Sequence, residues 1–285
     1  MKRPRFKLGI LGNGYVGQAT QLLKGEFVDC IAYDKDPEKC SPSSTTLQDL
    51  KKCDFIFVCV PTPMKKNGSC DLSIVKAAIK DLTRNGIRKK KIILRSTVPV
   101  GTSEKLEVHF MPEFLTERNW RKDFYNNNLW VFGHETDADA GVIEKLNNLI
   151  CAARDHGSIK NANTVFVSTR TAEFIKYARN SFLAVKVSVF NELSEFCFKN
   201  DIPYTTAVRL IGADERIGMS HTKVPGPDGH RGYGGTCFPK DVSSMIYQLK
   251  KSKCNSIVLK AAEKRNITVD RPEKDWEKNK GRAVS

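Results

Sequence analysis

At 285 residues the chain has the length of about two domains, and 40% hydrophobic with 28% charged residues is the balance of an ordinary globular protein. No run approaches the ~18 consecutive apolar residues of a membrane span, and the nine cysteines lie singly, with no CxxC pair and no histidines at metal-ligand spacing. The net charge of +15 is dispersed in short groups such as Lys89 to Lys91 and the tail from Arg271 to Arg282, without a nucleic-acid-binding motif. It therefore reads as solvated basic surface suited to a phosphate-bearing substrate, in a reducing, cytoplasmic compartment, with no metal, membrane or nucleic-acid partner.

The basic start MKRPRFKLGILG has no small-residue cleavage site and runs into a glycine loop, so Phe6 to Leu11 is a first strand rather than a signal segment. Gln18 to Leu23 has helical spacing. Asp29 to Tyr33 is a short strand ending at Asp34. Asp54 to Val60 is a nearly continuous apolar run, as expected of a strand buried on both faces of a parallel sheet. Leu72 to Thr83 is helical, Lys91 to Thr97 a strand, and Val108 to Met111 and Leu129 to Phe132 are candidate strands. Strands alternating with helices predict a parallel, doubly wound sheet. Past residue 170 the pattern changes. Thr171 to Lys199 lacks Gly and Pro and predicts one long helix of about 40 Å. Its Phe174, Phe182, Leu183, Val189, Phe190, Leu193 and Phe196 exceed what a small domain covers, which predicts a homodimer through residues 171–199. Pro203 opens a helix over Tyr204 to Ile211, a Gly- and Pro-rich loop spans Gly218 to Gly235, and helices follow over Val242 to Lys250 and Ser256 to Arg265. The charged residues Arg271 to Ser285 are expected to be loosely ordered.

Two segments carry chemistry. Gly12-Asn13-Gly14-Tyr15-Val16-Gly17 matches GxGxxG between a strand and a helix. There the first glycine makes the tight turn, the second lets backbone amides approach a pyrophosphate, and the third lets helix pack on strand. Asp34, 20 residues after Gly14, is placed to accept from an adenosine ribose, which favours NAD over NADP. The second segment is Gly232-Tyr233-Gly234-Gly235-Thr236-Cys237-Phe238-Pro239-Lys240-Asp241. Pro239 suits the start of a helix, so Cys237 sits where the positive end of the helix dipole favours a thiolate. Asp241, one helical turn on, faces the same side, and Lys240 adds positive charge.

This segment resembles the catalytic-cysteine segment of the UDP-glucose/GDP-mannose dehydrogenase family, as do GILGNGYVGQA, VCVPTPM, RSTVPVGT, MPEFLTE, AEFIKYARNSFLAVKVSVFNE and GADERIGMSHTKVPGPDG, in family order from residue 7 to about residue 265. The resemblance implies an α/β, doubly wound Rossmann-like domain over 1–168, a helical central dimerisation domain over 169–268 and a charged tail over 269–285. It implies oxidation of a nucleotide sugar at C6 to the carboxylate with NAD, through a thiohemiacetal and a thioester. By motif Cys237 is then the nucleophile, Lys176 and Asn180 stabilise oxyanions, Asp241 holds a water, Glu113 serves thioester hydrolysis, and Thr97 orients water. Thr62, Thr97, Tyr15 and Val16 lie by the cofactor. Phe114, Tyr233, Gly234 and Arg216, the last across a dimer interface, lie by the substrate. Lys186 is a further candidate cation, whereas His221 and His230 read as exposed loop residues. Family members continue into another α/β domain, for which the residues after Arg265 are too few, so the resemblance implies nucleotide contacts from a separate partner chain or the basic tail, or else a smaller substrate, with the loop His221 to Arg231 covering part of the pocket. Two other readings stand beside this one: a β-hydroxyacid or 6-phosphogluconate type dehydrogenase, which needs no Cys237, and a truncated, non-catalytic NAD-binding dimer.

Overall fold

The computed structural model describes residues 5–135 and 140–285; the basic start, residues 1–4, lies outside them. The chain divides into two compact units, residues 1–62 with 72–176, and residues 63–71 with 177–285. The break falls inside the long helix, and residues 63–71 of the first half belong to the second unit.

In the first unit β1 (Phe6–Leu11) leads into α1 (Tyr15–Gln21), then β2 (Val28–Tyr33), β3 (Phe55–Val58), α2 (Ser73–Arg84), β4 (Ile92–Leu94), α3 (Thr102–Leu106), β5 (His109–Phe110), α4 (Trp120–Tyr125), β6 (Trp130–His134), α5 (Ala140–Asp155) and β7 (Thr164–Ser168). The strands form one seven-stranded sheet in the order β2-β1-β3-β4-β5-β6-β7. Its central strands β3 and β4 are wholly buried, which is why they read as unbroken apolar runs. The expectation of a parallel sheet needs one correction. β5 and β6 pair antiparallel, through Phe110 and Gly133. The segment joining them holds only the six-residue α4 rather than a full crossover helix, so the chain re-enters the sheet at the end where it left. Two cores cover the faces. One, around Leu8, Ile10, Phe57, Phe132 and Leu149, is closed by α5; the other, around Ile56, Val58, Leu94 and Val75, is closed by α2. Helix α5 and strand β7 were not anticipated from the sequence.

The second unit is helical. It takes in most of α6 (Thr169–Lys199), with α7 (Tyr204–Gly212), α8 (Phe238–Lys251) and α9 (Ile257–Arg265), around a small core of Ala184, Tyr233 and Val242. The expectation of a loose tail is overturned. Arg271 is buried and paired with Asp228 and Asp275, Trp276 and Ala283 are buried, and Ser285 N–H donates to the Met64 carbonyl at 2.9 Å. Ion pairing and one aromatic anchor compensate a composition that by itself suggested disorder. Among the described residues no helix is long and apolar enough to cross a membrane, and no cluster of His, Cys, Asp or Glu is placed to hold a metal.

Candidate functional site

The glycine loop follows β1 at the point where the strand order reverses, with β2 on one side of β1 and β3 on the other. Gly12 has φ +91°, and a side chain there would lie 3.0 Å from the Cys59 backbone. A side chain on Gly17 would lie 2.2 Å from the Gly12 carbonyl oxygen, so only glycine lets α1 start this close to the strand. Gly14 is exposed, and nothing lies within 4 Å of where its side chain would be. That open backbone at the start of α1, flanked by half-buried Tyr15 and Val16, fits the pyrophosphate of a dinucleotide. Asp34 ends β2 and already accepts from the Asn13 N–H at 2.6 Å and the Asp36 N–H at 3.0 Å. Its remaining lone pairs are what a ribose hydroxyl would use. Asn13, unremarked in the sequence, locks the loop: it is buried, its amide donates to the Lys39 carbonyl and its side-chain oxygen accepts from Gln21.

Three more of the expected residues lie in the loops that follow β3, β4 and β5 of the same unit. Thr62 and Thr97 are buried, and Phe114 packs half-buried beside the second core. Glu113 and Lys176 form an ion pair of 2.6 Å in which both side chains are under 5% exposed. Burial pushes the Glu113 carboxyl up, but the Lys176 ammonium, the Leu115 N–H donating at 2.8 Å and the positive charge of Arg95 outweigh it and hold the carboxyl below the ordinary range. The pair is therefore an ionised carboxylate against a lysine, in a protein interior where charges act strongly.

In the second unit Cys237 caps the N-terminus of α8, with Pro239 in the first turn, and the Asp241 N–H donates to the Cys237 carbonyl at 3.0 Å. Asp241, 1% exposed, is held from two sides: Asn180 Nδ2 donates at 2.6 Å and Lys240 Nζ at 2.5 Å. Burial pulls the Lys240 ammonium down, but Asp241 and the neighbouring Cys237 more than compensate and raise it, so it stays protonated. Cys237, Lys240, Asp241 and Asn180 are thus brought together. Lys176 and Asn180, four residues apart, are two successive points on α6.

The loop that presents Cys237 is held by residues that no local motif announces. Asn266, at the start of a wide helical turn Asn266–Asp270, grips Tyr233 on both sides, accepting from its N–H at 2.8 Å and donating to its carbonyl at 2.9 Å. Asn191 of α6 accepts from the Gly232 N–H at 3.1 Å. The space a side chain on Gly234 would need is taken by the Arg271 guanidinium, 2.5 Å away, and that on Gly232 by Asn266, 2.3 Å away. The Tyr233 ring, expected by the substrate, lies in the core beside Ala184 and Val242. The other expected residues have different partners. Arg216 is exposed and pairs with Asp214 at 2.5 Å. Lys186 donates to the carbonyls of Ile217 and Gly218. His230 is exposed as expected, but His221 is half-buried with its ring 5.7 Å from that of Phe238.

Comparison with known proteins gives this geometry a family. Residues 39–150 match the NAD binding domain, and residues 170–268 the central domain, of the UDP-glucose/GDP-mannose dehydrogenase family. The chain belongs to that family. A UDP-glucose 6-dehydrogenase of Rickettsia bellii is 31% identical over 92% of this chain and 67% of its own length. Among solved structures, a UDP-glucose dehydrogenase from Pyrobaculum islandicum superposes with a TM-score of 0.76 at 23% identity, over 93% of this chain and 68% of that one. A Mycobacterium tuberculosis 3-hydroxyisobutyrate dehydrogenase does so with a TM-score of 0.67 at 14% identity, over 91% and 92%. Both likenesses are of fold. The chain spans between about half and two thirds of the length of the first family relatives it matches.

Proposed function

We propose that the protein is an NAD-dependent nucleotide-sugar dehydrogenase that oxidises C6 of UDP-glucose to the carboxylate, with Cys237 as covalent nucleophile. The observation that carries this reading is the cluster at the start of α8: a half-buried cysteine at a helix N-terminus, beside a protonated lysine and a carboxylate held by Asn180. A β-hydroxyacid dehydrogenase has no use for that cluster, whereas covalent capture of an aldehyde requires it.

The cofactor would be held by the backbone at Gly12 to Gly17 and by Asp34, and when bound it supplies the hydride acceptor for both oxidations. The chain's residues do the rest. Lys176 and the Asn180 amide are the donors for the alkoxide and tetrahedral oxygens, a role for which buried, preorganised dipoles and charges are effective. The Cys237 thiolate adds to the C6 aldehyde to give a thiohemiacetal, and oxidation turns this into a thioester. Glu113, ionised, takes a proton from water as that water adds to the thioester carbonyl carbon, and the Cys237 thiolate leaves as the carboxylate forms. Asp241 and Thr97 orient water in this scheme. The exposed stripe on α6 (Phe182, Val189, Leu193 and Phe196) supports a homodimer, to which exposed Arg216 would contribute a substrate contact.

The decisive assay is NADH release from UDP-glucose and related nucleotide sugars by the purified chain, with added relatives' C-terminal domain as a parallel arm. Two NADH per carboxylate, lost in Cys237→Ser, is the expected result. One NADH per sugar, independent of Cys237, would instead assign a simple alcohol dehydrogenase.

A further inference from the structure

Directly after β4 stands Arg95, a charge for which the scheme above has no use. Its side chain is 2% exposed. One guanidinium nitrogen, Nη1, donates to Thr20 Oγ1 at 3.0 Å, and the group lies 5.8 Å from the centre of the Phe124 ring. The Nε–H is buried and has no hydrogen-bond partner among the described residues. Among the described residues no carboxylate lies within ion-pair distance of it, although a buried cation without a paired anion is strongly unfavourable. Arg95 and Glu113 both line one cavity of about 20 Å³, which is room for a single water. Glu113 has lone pairs to spare there, since among the described residues Oε1 accepts from Lys176 alone and Oε2 from the Leu115 N–H alone.

We infer that Arg95 is a positioning residue for Glu113: one water in this cavity accepts from Arg95 Nε–H and donates to the Glu113 carboxylate, and the guanidinium supplies the second buried positive charge that keeps that carboxylate ionised. The two charges that act most strongly on the Glu113 carboxyl are both positive. Lys176 comes from α6 and Arg95 from the end of β4. Cys59, from the end of β3, is pushed by burial to about 11 and stays a neutral thiol. Asp123 of α4 lines the same cavity, with its carboxylate engaged by the Thr116 N–H at 2.7 Å. Two cations therefore face Glu113, and one of them has no carboxylate of its own. This role rests on the reading that Glu113 is the base for thioester hydrolysis, but its central element, the ionisation of Glu113, is measurable without turnover.

The test uses the full chain labelled with ¹³C at the glutamate side-chain carboxyl, with the Glu113 signal assigned by its loss in Glu113→Gln. In Arg95→Met the Glu113 titration midpoint is expected to rise by about one unit or more, and in Arg95→Lys to stay near that of the unaltered protein. The acid limb of NADH production should move with it. An unmoved midpoint in folded Arg95→Met overturns the role. Should that variant fail to fold, a high-resolution crystal structure of the unaltered protein decides: a water bridging Arg95 Nε and Glu113 supports the inference, and a dry cavity overturns it. Full activity in Glu113→Gln would instead sink the base assignment while leaving the titration result standing.

Discussion

Each unit buries a lysine against a carboxylate, and the two pairs are built differently. In the first, Lys176 and Glu113 meet beside a cavity lined also by a second cation, Arg95, and a second carboxylate, Asp123. In the second, Lys240 and Asp241 balance one another, with the neutral Asn180 amide as the other donor and the Cys237 thiol as neighbour. In the proposed mechanism a second cation close to Glu113 would suit oxygens that become anionic, and a balanced pair would suit a thiol that gains and loses charge.

The largest expected effect lies on the balanced side. Cys237→Ser should lower carboxylate formation roughly 10⁴-fold while leaving NAD binding intact, as measured by NADH release and cofactor titration. Next come the pairs themselves. Asp241→Leu leaves the Lys240 ammonium buried alone and should cost about 3–5 kcal/mol in urea unfolding. Lys176→Met should cost less, because Arg95 still faces Glu113. Equal losses would erase the distinction between the two clusters.

The pH dependence separates them again. The folded Glu113 carboxyl lies below its ordinary 4.5, so its contribution to stability is complete above that value and lost as pH falls through the depressed folded value. The folded Lys240 ammonium lies above its ordinary 10.5, so its contribution is complete below that value and lost only as pH rises through the raised folded value. Lys176→Met should therefore weaken the acid-side slope of unfolding stability, and Asp241→Leu the alkaline side. Interchanged effects would contradict the assignment.

The same contrast explains what was legible in the sequence. The glycine loop and Asp34 could be read directly because a positive φ at Gly12 and the close approach at Gly17 are local demands that only glycine meets. The start of α8 was legible for a similar reason, with Pro239 and Asp241 in fixed register with Cys237. What holds the Cys237 loop was not. Asn191, Asn266 and Arg271 act from more than 30 residues away, and Arg271 lies in a segment whose composition suggested disorder. Helix α5 is not legible in the sequence, although Leu146, Leu149, Ile150 and Ala153 mark its buried side, because its Asn and Gly residues weaken the local helical signal. Half-exposed β7 lacks the apolar continuity of the central strands.

The distant support predicts smaller effects. Asn266→Ala removes both bonds to the Tyr233 backbone and should cost about 1–3 kcal/mol of stability, together with slower alkylation of Cys237 by iodoacetamide. Arg216→Ala, at an exposed ion pair, should leave unfolding unchanged. A clear loss there would place Arg216 in the framework of the protomer instead of at its surface.

The central claim is covalent capture at Cys237, and mass spectrometry of the slowed Glu113→Gln variant, quenched with acid after mixing with UDP-glucose and NAD⁺, tests it most directly. The account predicts a uronyl adduct on the peptide carrying Cys237 and on no other cysteine peptide. Oxidised product accumulating while that peptide stays unmodified throughout turnover would contradict it.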